Sequence, residues 1–282
     1  MLSIAHSPDA DDIFMFYAIA FGWVDLPKAF SHHALDIETL NTQALQGVHD
    51  ISAISFALYP LIAEQYALLR CAASFGQGYG PKLIRKVSTK LKKNFKVALS
   101  GRYTTNALLF RLYYPHARVV YQNFLEIEGA VLRGEVDAGV LIHESILDFH
   151  PDLVVEKELW EVWCELSSSE LPLPLGGMVL RRSIPLIQAI SLEKKLTQAI
   201  DLALEYSPLL STMLLERGLV RVDAQKLSTY LKLYANASTL SPEQIEGLNT
   251  LFALGFKHGL YPAPLRASHQ LIPTRYQSLR FS

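Results

Sequence analysis

Twice along this chain a short apolar segment ends in small polar residues and leads directly into a helix-forming stretch, and after Ile184 that alternation gives way to helical periodicity alone. A strand that must run into a helix before the next strand can pair only through crossover connections, so the pattern predicts an α/β fold with much parallel sheet. The first series has strands over Leu2–His6, Leu35–Leu40 and Ile51–Phe56. Between and after them lie helices over Ile13–Phe21, from Asn41 to Gln46, and from Tyr59 to Leu69, with Asp11 or Asp12 as N-cap of the first. The second series restarts at Phe95–Leu99, turns through Gly101-Arg102-Tyr103-Thr104-Thr105 into a helix, and continues with a strand ending near Tyr121 and a helix over Ile127–Arg133. Its last strand, Ala138–Ile142, delivers His143 and Glu144 at its carboxyl end. Four helices close the chain: Leu186–Tyr206, Pro208–Arg217, Asp223–Tyr234 and Pro242–His258, the last with Ser241 as its cap.

Between the two series the texture changes. Gly76-Gln77-Gly78-Tyr79-Gly80-Pro81 is followed by a run of basic residues from Lys82 to Lys96, and a return strand from Leu171 to Arg182 has the same setting of Gly or Pro on one side and paired basic residues on the other. We read these as two crossing segments, near Lys82–Lys96 and Pro172–Arg182. They divide the chain into a discontinuous first lobe, 1–94 and 173–282, and an inserted second lobe, 95–172.

Composition removes several function classes. Lys and Arg number 26 against 27 Asp and Glu, a net charge of −1, and that balance argues against a nucleic-acid binder or a polybasic membrane-surface protein. The basic run is a solvated connector face, because a nucleic-acid patch is expected to recur along the chain and to interleave aromatic residues. Half of the residues are hydrophobic, which excludes disorder. The longest uncharged stretch, Ile51 to Ala63, contains Pro60 and is shorter than the ~18 residues that suggest a transmembrane helix. The N-terminus lacks the basic start of a secretory signal and meets Asp9 early, which predicts a cytoplasmic protein. Cys71 and Cys164 stand far apart, with no His or Cys at ligand spacing, so neither a zinc site nor a disulfide framework is signalled.

The polar residues that carry chemistry all fall at the carboxyl ends of the expected strands: Ser7 with the Asp cluster, Asn41, Ser55, Thr104 with Thr105, and His143 with Glu144. In open α/β sheets that edge holds ligands, and helix N-termini there supply unpaired N–H groups suited to an anion. A small carboxylate in the cleft between lobes is the natural ligand, and Ser55, Thr104, Thr105 and nearby N–H groups are its expected donors. His143 is the group in this set that exchanges a proton near neutral pH. Pattern alone leaves two readings of it open: a general base, or a strand-end imidazole held by Glu144 or backbone. If it is the base, strand alternation sends Glu144 to the opposite side. Asp9, Asp11 and Asp12 suit helix capping better than a hard cation, and Gly76–Gly80 lacks the Lys-Ser/Thr ending of a phosphate loop. No Gly-x-Ser-x-Gly elbow accompanies Ser7, Ser55, Thr104 or Thr105, which disfavours a hydrolase. His32 and His33 read as solvent-exposed.

Taken in order, several stretches are similar to the 1,4-dihydroxy-6-naphthoate synthase family of the futalosine route to menaquinone. They are Ser7-Pro8 through Asp12-Ile-Phe-Met-Phe, Glu38-Thr-Leu-Asn41, Ser55-Phe-Ala-Leu-Tyr59, Gly76–Pro81, Gly101-Arg-Tyr-Thr-Thr105, Ala138-Gly-Val-Leu-Ile-His143-Glu144-Ser145, Leu171-Pro-Leu-Pro-Leu-Gly176 and Tyr234-Ala-Asn-Ala. The resemblance implies a type II periplasmic-binding-protein-like fold of two lobes. It implies a carbon–carbon lyase that converts cyclic dehypoxanthinylfutalosine to 1,4-dihydroxy-6-naphthoate with release of a three-carbon sugar fragment, without metal or redox cofactor. By the same resemblance His143 is the catalytic base, and Ser7, Asn41, Ser55, Thr104 and Thr105 line the cleft; a homodimer is compatible with it. Two departures stand out. The family's first turn reads Ser-Pro-Cys-Pro-Asn-Asp-Thr-Phe, whereas Asp9, Ala10, Asp11, Asp12 and Ile13 follow Ser7-Pro8 here. A Lys frequent two residues before the Ser matching Ser55 is Ala53, so Arg102 or backbone N–H groups are expected to replace its charge. The alternatives are a non-catalytic carboxylate-binding protein and the related chorismate dehydratase; the Gly-Arg-Tyr-Thr-Thr and Ile-His-Glu stretches favour the synthase.

Overall fold

The computed structural model describes residues 1–26, 29–234 and 238–273. Two five-stranded sheets form, each with the same internal order. The first holds β1 (Leu2–His6), β2 (Phe30–Ala34), β3 (Ile51–Ser55), β4 (Tyr66–Gly76) and β10 (Leu173–Arg181), arranged β2-β1-β3-β10-β4. The second holds β5 (Lys82–Lys86), β6 (Lys96–Leu99), β7 (Arg118–Tyr121), β8 (Ala138–Leu141) and β9 (Leu153–Glu158), arranged β7-β6-β8-β5-β9. In each sheet four strands run in one direction, and a single antiparallel strand from the crossing region is inserted among them. The two series of the sequence thus fold into two copies of one plan.

The crossing falls earlier than the sequence suggests. Lys82–Lys86 was expected with the first lobe, inside the 1–94 segment, but it pairs antiparallel with β8 and β9 in the second sheet. The chain changes sheets at Gln77–Pro81. Gly76 makes the tight exit possible, since a Cβ there would lie 2.3 Å from the Tyr79 carbonyl oxygen. The return passes through residues 168–172 into β10, which pairs with β3 and β4 of the first sheet.

Helices α1 (Ala10–Ala20), α2 (Ile37–Leu45) and α3 (Tyr59–Ile62) belong to the first series, and α4 (Thr105–Tyr113), α5 (Phe124–Arg133) and α6 (Leu159–Ser167) to the second. Helices α7 (Leu186–Glu205), α8 (Ser207–Glu216) and α9 (Ala224–Tyr234) pack on α1, while α10 (Pro242–Lys257) rests against β10 and α6. Ser241 caps α10 with Gln244 in a reciprocal capping box. Trp163 of α6 is fully buried among Phe56, Leu173 and Phe252, so an apolar cluster spans the base of both lobes beside the crossing. Among the described residues no helix is long and apolar enough to cross a membrane.

Other differences have local causes. The second strand is Phe30–Ala34 rather than Leu35–Leu40, because Asp36 caps α2 by accepting from the Glu38 and Thr39 N–H groups and so starts that helix early. β2 is an edge strand, and the exposure of His32 and His33 there hides its alternation. Tyr66–Gly76 is a strand where Ala and Leu content favours helix; pairing along β10 and packing under α7 override that propensity. β9 and α6, within the second lobe, have no counterpart in the sequence reading. The N-cap of α1 is Asp9, not Asp11 or Asp12, and its side chain makes no capping bond because it is engaged elsewhere.

Candidate active site

Between the lobes lies a cavity of about 90 Å³, bounded by the carboxyl ends of β1 and β3, the start of α4, the turn after β8 and the inner face of α9. Ser7, Ser55, Thr104, Thr105 and His143 line it, together with Asp9, Asp11, Asp12, Asn106, Tyr230 and Tyr234. Small-molecule sites are typically ~300–1,000 Å³, so the lobes are drawn together over a narrowed cleft.

Asn41 is the exception among the expected cleft residues. It is fully buried in α2, behind the wall, where its amide donates to Ser55 Oγ at 3.1 Å and its Oδ1 accepts the Ser55 N–H at 2.9 Å. It therefore holds the serine that faces the cavity. Ala235, Asn236 and Ala237 of the Tyr234-Ala-Asn-Ala stretch lie outside the described residues.

The hydroxyls are less free than a ligand site would suggest. Thr104 is the N-cap of α4: its Oγ1 accepts the Ala107 N–H at 3.3 Å and donates to the Gly101 carbonyl at 3.1 Å. Thr105 Oγ1 donates to the Leu175 carbonyl at 3.0 Å and accepts the Ala57 N–H at 3.2 Å, linking α4 to the first sheet's side of the cleft. What these residues offer an anion is chiefly the first-turn N–H groups of α4 at Thr105 and Asn106, which have no partner within the helix.

The turn after β8 carries the most concentrated chemistry. His143 opens a 3-10 turn, His143–Ile146, instead of continuing the strand, and its φ of +54° is in the left-handed region. The alternation argument fails for that reason: both side chains turn to the first lobe. His143 Nδ1 forms an ion pair with Asp9, and Glu144 Oε1 accepts the Ala10 N–H at 2.9 Å. The His143 ring also packs edge-on to Phe124, 4.9 Å between centroids.

These contacts set the protonation states. Burial alone would lower the His143 pKa, but the Asp9 charge and hydrogen bond, helped by Glu144 and Asp11, raise it to about 9. Burial pushes the Asp11 carboxyl well above the usual range, with Asp9 and Asp12 adding to the effect. Burial and the Asp9 charge raise Asp12 to about 7, and its Oδ2 accepts the Ser7 N–H at 2.8 Å. Asp9 itself is held below the usual value, because His143 and Ser7 outweigh its burial. The acid-rich turn therefore holds one ion pair beside Asp11, whose carboxyl is biased toward the protonated form, and Asp12, which titrates at about 7. Much of the expected repulsion of a carboxylate ligand is removed. Arg102 does not supply the charge missing at Ala53, since its side chain is exposed and outside the cavity. Among the described residues lining the cavity, His143 is the basic group.

Asp9, Asp11 and His143 bring one donor atom each to within 4.8 Å of one another, a spacing at which three side chains can share a cation. Nδ1 is already engaged by Asp9, and we read the trio as a dyad with a third carboxyl beside it.

Sequence reasoning missed Asp9 as the partner of His143, the aromatic roof of Tyr230 and Tyr234, and Glu38. The Glu38 carboxylate reaches across the cleft to accept the Arg102 N–H at 2.7 Å and the Tyr103 N–H at 3.1 Å. Glu38 stood in one of the quoted stretches, but nothing local assigned it a partner.

Two lobes of repeated sheet order, joined by a crossing pair and closing over polar strand ends, define a periplasmic-binding-protein-type architecture. A Candida albicans protein of the generic periplasmic-binding-protein fold superposes with a TM-score of 0.69 over 96% of this chain and 95% of its own, at 10% identity. Within that architecture the chain belongs to the menaquinone biosynthesis family, which it matches over residues 2–257. It is similar to the 1,4-dihydroxy-6-naphthoate synthase of Thermus thermophilus, 32% identical over 93% of this chain and 97% of that one. A protein of Archaeoglobus fulgidus of known structure is 33% identical, with a TM-score of 0.82 over 92% of this chain and 98% of its own.

Proposed function

We propose that this protein is a 1,4-dihydroxy-6-naphthoate synthase, a lyase that opens cyclic dehypoxanthinylfutalosine and releases a three-carbon sugar fragment. The observation that supports it most is the partly buried imidazole of His143, paired on Nδ1 and lining the cavity. Abstraction of a proton from the cyclic substrate by His143 begins the ring opening, and aromatisation of the second ring drives expulsion of the sugar carbons. The α4 N-terminus and Ser55 orient the substrate carboxylate, while the closed lobes exclude water. A neutral imidazole is needed for the abstraction, so turnover at limiting substrate rises with pH toward about 9, the value to which Asp9 raises His143.

Incubation of the purified protein with the cyclic substrate, followed by naphthoate formation in single-turnover mode, tests the reading. His143→Asn should lower the rate by about 10²- to 10⁴-fold, the usual contribution of a positioned base. A carboxylate-binding protein without catalysis would instead bind the substrate and return it unchanged, and a dehydratase would act on chorismate.

A further inference from the structure

The candidate base and its partner belong to different lobes. Asp9 lies in the turn between β1 and α1 of the first sheet, whereas His143 follows β8 of the second. The contact is doubled by the next residue on each side, where the Ala10 N–H donates to Glu144. Two consecutive residues of one lobe thus grip two consecutive residues of the other. The left-handed backbone at His143, unfavourable for a residue with a side chain, turns the ring toward this grip. Its second nitrogen, Nε2, is buried without a hydrogen-bond partner, in a residue that lines the cavity.

We propose that Asp9 is a positioning residue that assembles the base across the cleft: closure of the lobes brings its carboxylate to His143 Nδ1, which fixes the proton there and leaves Nε2 for the substrate. A neutral imidazole has two tautomers, and a carboxylate at one nitrogen selects the form with the proton on that side. Such a third group, holding the base rather than touching substrate, is what orients activated imidazoles generally. Here it arrives from the opposite lobe, so the ring is ordered for reaction only when the cleft is shut. Asp9 stands where the family's usual turn has Cys, which makes the arrangement a property of this chain's altered first turn. The inference rests on the lyase reading for the identity of the reacting proton, not for the dyad itself.

The groups facing His143 are Asp9, Asp11 and Asp12 from the β1–α1 side and Glu144 from its own turn. Phe124 from α5 packs against the ring; Arg221, 3.9 Å from Glu144, covers the Phe124 face at 5.2 Å. Tyr230 of α9 closes the cavity over the acids.

The test compares wild type with Asp9→Asn, Asp9→Ala and Asp9→Glu, by single-turnover rate on the cyclic substrate, substrate dissociation constant, the pH profile of kcat/KM, and ¹⁵N NMR of the His143 ring. On the plateau above the ascending limb, where His143 is neutral in every protein, Asp9→Asn and Asp9→Ala should lower the chemical rate by about 10²- to 10⁴-fold while binding changes less than about threefold. The ascending limb of the pH profile should move down toward the ordinary histidine value of roughly 6.5, and Asp9→Glu should recover part of the rate. In wild type the neutral ring should be the Nδ1–H tautomer, and in Asp9→Asn a mixture. Plateau rates within about threefold of wild type, or an unmoved limb, overturn the proposal. Failure of wild type to convert the cyclic substrate overturns the lyase reading alone; the ring titration and tautomer then decide the dyad, and values unchanged by Asp9→Asn, or by Asp9→Glu should the former not fold, overturn it.

Discussion

Asp12 shows how a single side chain ties folding to the site's charge. It sits in the first turn of α1, accepts the Ser7 N–H, and has its carboxyl raised to about 7 by burial and the Asp9 charge. In the unfolded chain the same group ionises near 3.8. The folded protein therefore keeps a proton that the unfolded chain has lost, and this favours unfolding increasingly as pH rises from about 4 to 7. Asp12→Asn retains an oxygen for the Ser7 N–H and removes the ionisation. Urea midpoints measured from pH 4 to 8 should show the variant gaining on wild type by on the order of a few kcal/mol across that window. At this scale Ser7, Ser55, Thr104, Thr105 and His143 were legible, because strand ends and helix starts mark the ligand edge of an α/β sheet. Asp9 was not. Its partner lies 134 residues away in sequence and on another sheet, and no periodicity reports such a pairing. Asn41 was visible as a polar residue near that edge, but only packing tells a residue behind the wall from one on it. The same distinction guides its substitution: Asn41→Ala would strip Ser55 of both bonds, and with buried groups left unpaired it should cost about 1–3 kcal/mol of stability.

Between elements, α2 and the β6–α4 turn are held together by one carboxylate. Glu38 accepts two N–H groups just ahead of the Thr104 cap, and Gly101 passes so close that a Cβ would lie 2.3 Å from Glu38 Oε2. Gly101→Ala should therefore raise the substrate dissociation constant by forcing the carboxylate off the turn. Glu38→Ala should do the same by roughly 1–2 kcal/mol, the range for hydrogen bonds to a charged, partly exposed group. The double variant should lose less than the sum of the two, because the carboxylate contact is lost only once, although the Cβ at residue 38, 2.7 Å from the added one, still crowds the turn, and calorimetric titration of the three proteins reads that non-additivity. Additive losses would mean that Gly101 serves the turn in some other way. Most elements could be read from the sequence, since the buried strands β1, β3, β6 and β8 and the amphipathic C-terminal helices carry their own periodicity. The errors cluster where environment decides. β4 is helix-prone in composition but is paired along β10, β2 is an edge, and Lys82–Lys86 carries a surface-like charge pattern although Leu83 and Ile84 are fully buried between β8 and β9. Only a partner strand settles which sheet such a segment joins.

At the level of the whole molecule, closure has to be reversible, since a substrate that carries the carbons of a naphthoate and of a sugar fragment does not enter a cavity of about 90 Å³ without the lobes parting. Among the contacts between the lobes are Asp9–His143, Ala10–Glu144, Glu38 with the Arg102 and Tyr103 N–H groups, and Lys226 with Asp148. The first three involve buried or partly buried groups at the cavity, whereas Lys226 on α9 and Asp148 beyond the His143 turn are exposed at the rim. An exposed pair of this kind contributes about 0.2–1 kcal/mol, and salt weakens it. That small energy is suited to biasing the open–closed equilibrium without locking it. Asp148→Lys places two ammonium groups against each other across the rim and should favour the open form. The expected result is a KM raised by roughly two- to fivefold at low ionic strength, a single-turnover rate at saturation near that of wild type, and a difference that fades at high salt. The charge exchange Asp148→Lys with Lys226→Asp restores the opposite signs and should bring KM back. Recovery in the exchanged protein separates rim attraction from any local damage at Asp148, and a KM that stays high after the exchange would place the effect in the turn after β8 instead of between the lobes.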